Sequence, residues 1–229
     1  MAKENKKHDA KTIIIRVLAV VLLLVGLVLI FNKQISNYII SKNQTSTMTT
    51  LTKKTVDKNQ KKKVMFDFSK VKEVDFSQVA QSARKNNAHA IGALAIPDVN
   101  MRLPILLGMS DDAMATGGGT MRADQVMGKG NYPLAGHYMT AKGVLFSPLE
   151  NTKVGEKVYL TDLKKIYVYK IYMKKKVDPT AVWLVNNTKQ NIVTLITCAD
   201  GGVNRWAVRG NLIKTEKATD KNLQVFKLK

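Results

Sequence analysis

Asn191-Ile192-Val193-Thr194-Leu195-Ile196-Thr197-Cys198 runs directly into Ala199-Asp200-Gly201-Gly202, and the reading of this stretch decides the fold. β-Branched residues dominate it, so it predicts a strand over 191–197. The thiol of Cys198 then falls where the strand gives way to a glycine-containing loop, and strand-end loops are where scaffolds display reactive groups. Cys198 is the only cysteine among 229 residues, so it forms no internal disulfide. Most lone cysteines are small buried hydrophobes. Position alone leaves packing and catalysis in balance.

Working outward, the same β pattern holds from His89 onward. Strands are predicted over 90–96, 101–107, 132–136, 157–161, 166–173, 192–197 and 205–212. Pro97-Asp98, Gly117-Gly118-Gly119 and Gly201-Gly202 punctuate them. Many short strands with little helix imply an all-β closed barrel or sandwich. No internal repeat is present.

The N-terminal quarter is of another kind. Ile13 to Phe31 is a run of 19 residues in which Arg16 is the only charge. As a helix it would span ~28 Å, close to the ~30 Å hydrocarbon core of a bilayer. Lys3, Lys6, Lys7, Lys11 and Arg16 precede or enter it, which keeps the N-terminus cytoplasmic. The run is long for a signal peptide, and Asn32-Lys33-Gln34-Ile35 offers no small-residue cleavage site. The expected organisation is a cytoplasmic tail at 1–12, an uncleaved transmembrane signal anchor at 13–31, a stalk at 32–87 and a catalytic domain at 88–229. The stalk expectation rests on the polar Lys/Thr/Ser/Asn/Gln composition of 32–63, with one short helix predicted over 77–85. This places the protein in the cell membrane, single-pass, with its C-terminal domain outside.

The net charge is +20. Residues 1–63 hold 13 Lys/Arg against 3 Asp/Glu and the remainder 24 against 14, so the excess is shared evenly. A basic surface outside a membrane suits anionic headgroups or wall polymers. No nucleic-acid motif is present, and no nucleic-acid partner is expected.

Cysteine chemistry needs a thiolate or a neighbour that helps form one. Of three histidines, His8 lies in the cytoplasmic tail and His89 borders an apolar strand with nothing reactive beside it. His137 ends Tyr132-Pro133-Leu134-Ala135-Gly136 and so stands, like Cys198, at a strand end. If the 192–197 strand turns through 199–204 and returns antiparallel, Arg205 lies opposite Cys198. Arg209 would then stand about 13 Å farther along at ~3.3 Å per residue. A guanidinium close to a cysteine can stabilise a thiolate and then an oxyanion.

Leu134-Ala135-Gly136-His137, Thr194-Leu195-Ile196-Thr197-Cys198 and Arg205-Trp206-Ala207-Val208 resemble the histidine, cysteine and arginine segments of the sortases. These are cysteine transpeptidases of Gram-positive cell surfaces. Ile91-Gly92-Ala93-Leu94-Ala95-Ile96-Pro97, Leu103-Pro104-Ile105 and Leu145-Phe146-Ser147-Pro148-Leu149 extend the likeness in family order across 88–215. The N-terminal anchor is similar to that of class A, the housekeeping group. The resemblance implies a closed eight-stranded sortase-type β-barrel with short helices. It implies that Cys198 cleaves LPXTG-type sorting signals of surface proteins between Thr and Gly. His137 would act as general acid and base, and Arg205 would hold substrate and oxyanion. The acceptor would be the amine of lipid II or a peptidoglycan cross-bridge. Ala135, Ile196, Thr197, Leu184 and Val185 would line the substrate site.

No cofactor is expected, and no metal. The resemblance implies that any calcium would be held by acidic residues before the histidine strand and in the long loop, as in certain class A sortases. Calcium takes six to eight oxygen ligands, whereas 117–133 offers only Asp124 and 177–190 only Asp178. One cysteine and three scattered histidines do not make a zinc set. Two other readings compete: a different cell-wall cysteine transpeptidase, and a non-catalytic membrane-tethered barrel that binds wall components. No histidine lies just before Cys198 in one compact motif, which counts against the first.

Overall fold

The computed structural model describes residues 10–64, 66, 89–139 and 143–228. The helix predicted over 77–85 lies outside the described residues. Among the described residues there are eight strands: β1 Ala90–Ile96, β2 Met101–Leu106, β3 Gly118–Thr120, β4 Asn131–Ala135, β5 Lys157–Thr161, β6 Lys165–Val177, β7 Ile192–Ala199 and β8 Asn204–Lys217. They close into a barrel in the order β1-β2-β3-β4-β7-β8-β6-β5. Closure leaves no sheet edge unpaired. The predicted closed eight-stranded barrel is therefore what the chain forms.

Strand alternation sorts side chains into two sets. Leu94, Leu103, Leu134, Leu195, Val208 and Phe146 point inward and pack as the dry interior. Their neighbours along the chain, Ala135, Ile196 and Ala207, point outward into a second apolar cluster. The two clusters use opposite faces of the same three strands.

β3 is the strand missing from the sequence-based expectation, which took Gly117-Gly118-Gly119 as punctuation. It pairs parallel with β2 and antiparallel with β4. Glycine is needed there for closeness rather than for turning. A Cβ on Gly119 would lie 2.6 Å from the Gly108 carbonyl oxygen, and one on Gly118 would lie 3.0 Å from the Phe146 ring. Glycine lets backbones and rings approach where any side chain would intrude.

The stalk also differs from expectation. Helix α1, Ala10–Thr49, continues 18 residues past the apolar run without a break, and α2, Lys53–Asn59, follows. Ile13 to Phe31 are largely exposed, as a membrane-spanning stretch outside its bilayer would be. Beyond them the helix docks on the barrel. Ile40 is fully buried beside Leu145, with Ile39, Met139 and Val144 around it. Gln44 donates to the Arg102 carbonyl at 2.8 Å, and Met48 packs with Ala93, Ala95 and Phe226. In α2, Val56 is buried and Asn59 donates to the Ala90 carbonyl at 2.9 Å. The composition of 32–63 is polar, but a few apolar residues at helical spacing suffice to seat a helix on an apolar surface. Over 32–59 the chain is therefore packed structure, where an unpacked stalk was expected.

Candidate active site

Three adjacent strands build the site. β4 and β7 run parallel, with Ala135 beside Ile196. The Gly136 amide donates to the Ile196 carbonyl at 3.1 Å, so the pairing persists past the end of β4. Each strand then carries one more outward position, two residues on: His137 after Ala135 and Cys198 after Ile196. Neighbouring strands lie ~4.8 Å apart, which brings the imidazole and the thiol to one edge of the barrel. β7 and β8 form the hairpin anticipated from the sequence, with Cys198 directly opposite Arg205. The outward face of β4, β7 and β8 thus ends in His137, Cys198 and Arg205 side by side.

The step from Ala135 to His137 depends on Gly136. A Cβ there would sit 2.0 Å from the Phe146 ring. Phe146 is fully buried in the interior, and its amide donates to the His137 carbonyl at 3.0 Å. Phe146 thus supports the histidine from below, while α1 packs against the neighbouring Leu145. His137 keeps part of its surface open. Burial of the rest pushes its pKa down to about 4, opposed by the nearby Asp111 carboxylate. The imidazole is neutral at physiological pH and ready to accept a proton.

Cys198 is free and partly exposed. Arg205 donates through Nη1 to the carbonyls of Gly202 at 2.6 Å and Asn204 at 2.9 Å. Both acceptors belong to its own turn. No acceptor meets its Nε or Nη2 among the described residues, so two edges of the guanidinium remain for a ligand.

An apolar cluster lies beside this edge. Ala135, Ile196 and Ala207 pack with Leu184, and Val185 lies against them. Met109, Met114 and Met121 join the cluster, which the sequence did not reveal. They are spread over a loop, a one-turn helix and the stretch after β3, so no periodic signal marks them and only the folded chain brings them together. Thr197 is the exception among the expected substrate contacts. Alternation turns it away from Ile196 and Cys198, and it is buried with Oγ1 donating to the Gly136 carbonyl at 2.7 Å. Its work is to tie β7 to β4.

The carboxylates considered for calcium are engaged otherwise. Asp124 pairs with Arg122 through both oxygens, at 2.9 and 2.5 Å, which holds its pKa below the usual range. Asp178 accepts from the Thr180 amide and hydroxyl at 2.8 and 2.5 Å. Among the described residues, no three His, Cys, Asp or Glu side chains converge on a common point.

Comparison with known proteins agrees with this geometry. A model of the sortase domain matches residues 94–213. Sortase A of Listeria monocytogenes is 38% identical over 208 residues, 89% of this chain and 94% of that protein. Sortase A of Streptococcus agalactiae is 37% identical over 236 residues, covering 99% of this chain and 96% of that one. The crystal structure of the Listeria monocytogenes sortase A superposes with a TM-score of 0.59 at 42% identity, covering 61% of this chain and 99% of that structure. With the barrel, the three strand-end residues and these likenesses together, the chain belongs to the sortase family and is class A-like.

Proposed function

We propose that this cell-wall cysteine transpeptidase cleaves LPXTG-type sorting signals between Thr and Gly and passes the upstream protein to a peptidoglycan-precursor amine such as that of lipid II. The observation that carries the reading is the meeting of His137, Cys198 and Arg205 at the ends of three adjacent strands, beside an apolar cluster. In the first half-reaction the Cys198 sulfur attacks the Thr carbonyl carbon, and neutral His137 takes the thiol proton. The tetrahedral oxyanion is met by the free edges of Arg205. The C–N bond breaks, His137 returns the proton to the departing glycine amine, and a thioester remains. In the second half the acceptor amine attacks that thioester and gives its proton to His137. Sulfur leaves, the thiol is regenerated, and an amide joins protein to acceptor. Ala135, Ile196, Leu184 and Val185 would receive the Leu-Pro part of the signal.

The apolar run of α1 would anchor the enzyme with its N-terminus inside and its barrel outside. The described residues include one helix long and apolar enough to cross a membrane. Protease added to intact wall-stripped cells should remove the barrel and spare the N-terminal tail. For the chemistry, the full chain in detergent is given an LPXTG-type peptide and an amine acceptor. The expected products are the released tail and the peptide–amine adduct, with a thioester trapped on Cys198. Equal turnover by Cys198→Ala would reject the mechanism.

A further inference from the structure

The loop between β6 and β7 contains a 3-10 turn, Val182–Leu184, whose Leu184 packs against Ala135, Ile196 and Ala207. Carbonyls at the end of such a turn have no partner within it and need donors from elsewhere. Four in succession find them on the barrel. Arg209 donates through Nη2 to the Trp183 and Leu184 carbonyls at 3.4 and 3.2 Å. Asn131 donates through Nδ2 to those of Leu184 and Asn186 at 2.7 and 2.9 Å. Arg122 reaches the Val185 carbonyl at 3.3 Å.

These donors are themselves built in. Arg209 is 9% exposed, and its Nε donates to Thr194 Oγ1 at 3.2 Å. Thr194 is fully buried and donates on to Asn131 Oδ1 at 2.7 Å. The network spans β8, β7 and β4, the three strands that carry the site. The Arg209 guanidinium also lies 4.7 Å from the centre of the Trp183 ring, which Lys175 approaches at 5.3 Å.

We propose that Arg209, with Asn131 and Arg122, is a positioning staple that holds the 181–187 loop against Ala135, Ile196 and Ala207 before substrate arrives. The proposal rests on the reading of this apolar cluster as the peptide site. Arg209 does not touch the reacting atoms. Its contribution is to remove the cost of ordering Leu184 and Val185 at the moment of binding.

The test uses the full chain in detergent with a sorting-signal peptide and a soluble amine. If loss of the staple leaves about a tenth of molecules with an ordered loop, apparent affinity falls ~10-fold. Arg209→Ala is therefore expected to raise KM by about that factor while kcat stays within about two-fold. Amide exchange over 182–187 should quicken in the free protein and slow again under saturating peptide. Arg209→Lys should recover only part, because an ammonium lacks the planar fork that bridges Thr194 and two carbonyls. Should Arg209→Ala not fold, Arg122→Ala removes the Val185 bond together with the exposed Asp124 pair, and should shift KM and exchange the same way by less, with Asp124→Ala as the control that leaves the Val185 bond in place. Unchanged KM and exchange in the folded variants would overturn the proposal, as would a fall in kcat at constant KM. A wild-type chain that turns over no peptide would sink the functional reading, and the exchange comparison would still decide the staple.

Discussion

The two ends of the β7–β8 hairpin carry the same side chain on the same face and use it in opposite ways. At the turn, Arg205 faces Cys198, is partly exposed, and is held only by carbonyls of its own turn. Four residues along, Arg209 faces Thr194, is buried, and is tied to β7 and to the β6–β7 loop. Strand alternation makes the two equivalent, so the face cannot tell them apart. Their partners can. A guanidinium whose donors end on buried network atoms is structure, and moving it would strand polar groups without partners. One anchored through a single nitrogen to an exposed turn keeps other donors open, as its proposed role toward an oxyanion requires. On that proposal, the difference marks where the rigid scaffold stops and the reactive edge begins.

The sharpest way to break this comparison is at the reactive end. Cys198→Ala should abolish both cleavage and transfer in the peptide assay. Arg205→Ala should remain folded, with a melting temperature near wild type, and lose on the order of 10²–10³ in kcat, the usual cost of removing an oxyanion donor. Arg205→Lys should recover part of it. A ranking in which Arg209→Ala loses turnover and Arg205→Ala keeps it would reverse the roles assigned to the two ends.

A second test moves to the support beneath the edge. Gly136→Ala would drive a methyl into the Phe146 ring, since even its ideal position is 2.0 Å away. Overpacking of this kind costs about 1–3 kcal/mol. Because the strained residue precedes His137, activity should fall ~10-fold or more through lost orientation of the base, with a lower unfolding midpoint. Adding Phe146→Leu should restore part of both. If the double variant recovers stability but not activity, the ring positions the histidine by more than its bulk.

How far the sequence carried depends on the kind of residue. Seven strands were legible because β-branched runs between glycines and prolines have a short-range cause. β3 was not, because Gly118 and Gly119 are chosen for what lies across from them, Phe146 and the Gly108 carbonyl. His137, Cys198 and Arg205 could be singled out from strand ends, hairpin register and family likeness. The role of Arg209 could not, since it depends on Thr194, Asn131 and the loop carbonyls meeting across three strands. The docked half of α1 was hidden for the same reason. Ile40 and Met48 are sparse in a polar stretch, and only the barrel surface explains them. Local propensity was readable, and contacts at long separation were not.

The pH response separates the ends by a smaller margin. His137 titrates at about 4 in the folded protein because burial disfavours the imidazolium, against ~6.5 for an unperturbed histidine. The unfolded chain therefore takes up the proton first as pH falls. Above about 6.5 this group leaves stability independent of pH, and between 6.5 and about 4 acidification should progressively destabilise the fold. Urea midpoints measured across that window should drop more steeply for wild type than for His137→Gln. Parallel curves would mean that the imidazole sits in more open surroundings than its packing implies. The Arg209 end holds no group of this kind, so Thr194→Val should lower the midpoint by a similar amount at pH 7 and pH 5.

The smallest expected effect is that of calcium, and it bears on the scaffold end alone. The family resemblance points for calcium to the β6–β7 loop and the segment before β4. The loop carbonyls of Trp183 through Asn186 already accept from Arg209, Asn131 and Arg122. Asp124 is paired with Arg122, and Asp178 is turned to Thr180. A divalent ion entering there would meet two guanidinium charges nearby, and repulsion between like charges opposes binding. Its hydration shell would also need replacement by six or more oxygens that are otherwise engaged. Turnover and KM of the full chain should therefore be equal, within about two-fold, in millimolar calcium or in excess chelator. If instead KM rises several-fold in chelator for wild type, and Arg209→Ala is insensitive to it, then the ion and the arginine act on one loop in series. The scaffold end would then be only half built by the chain itself.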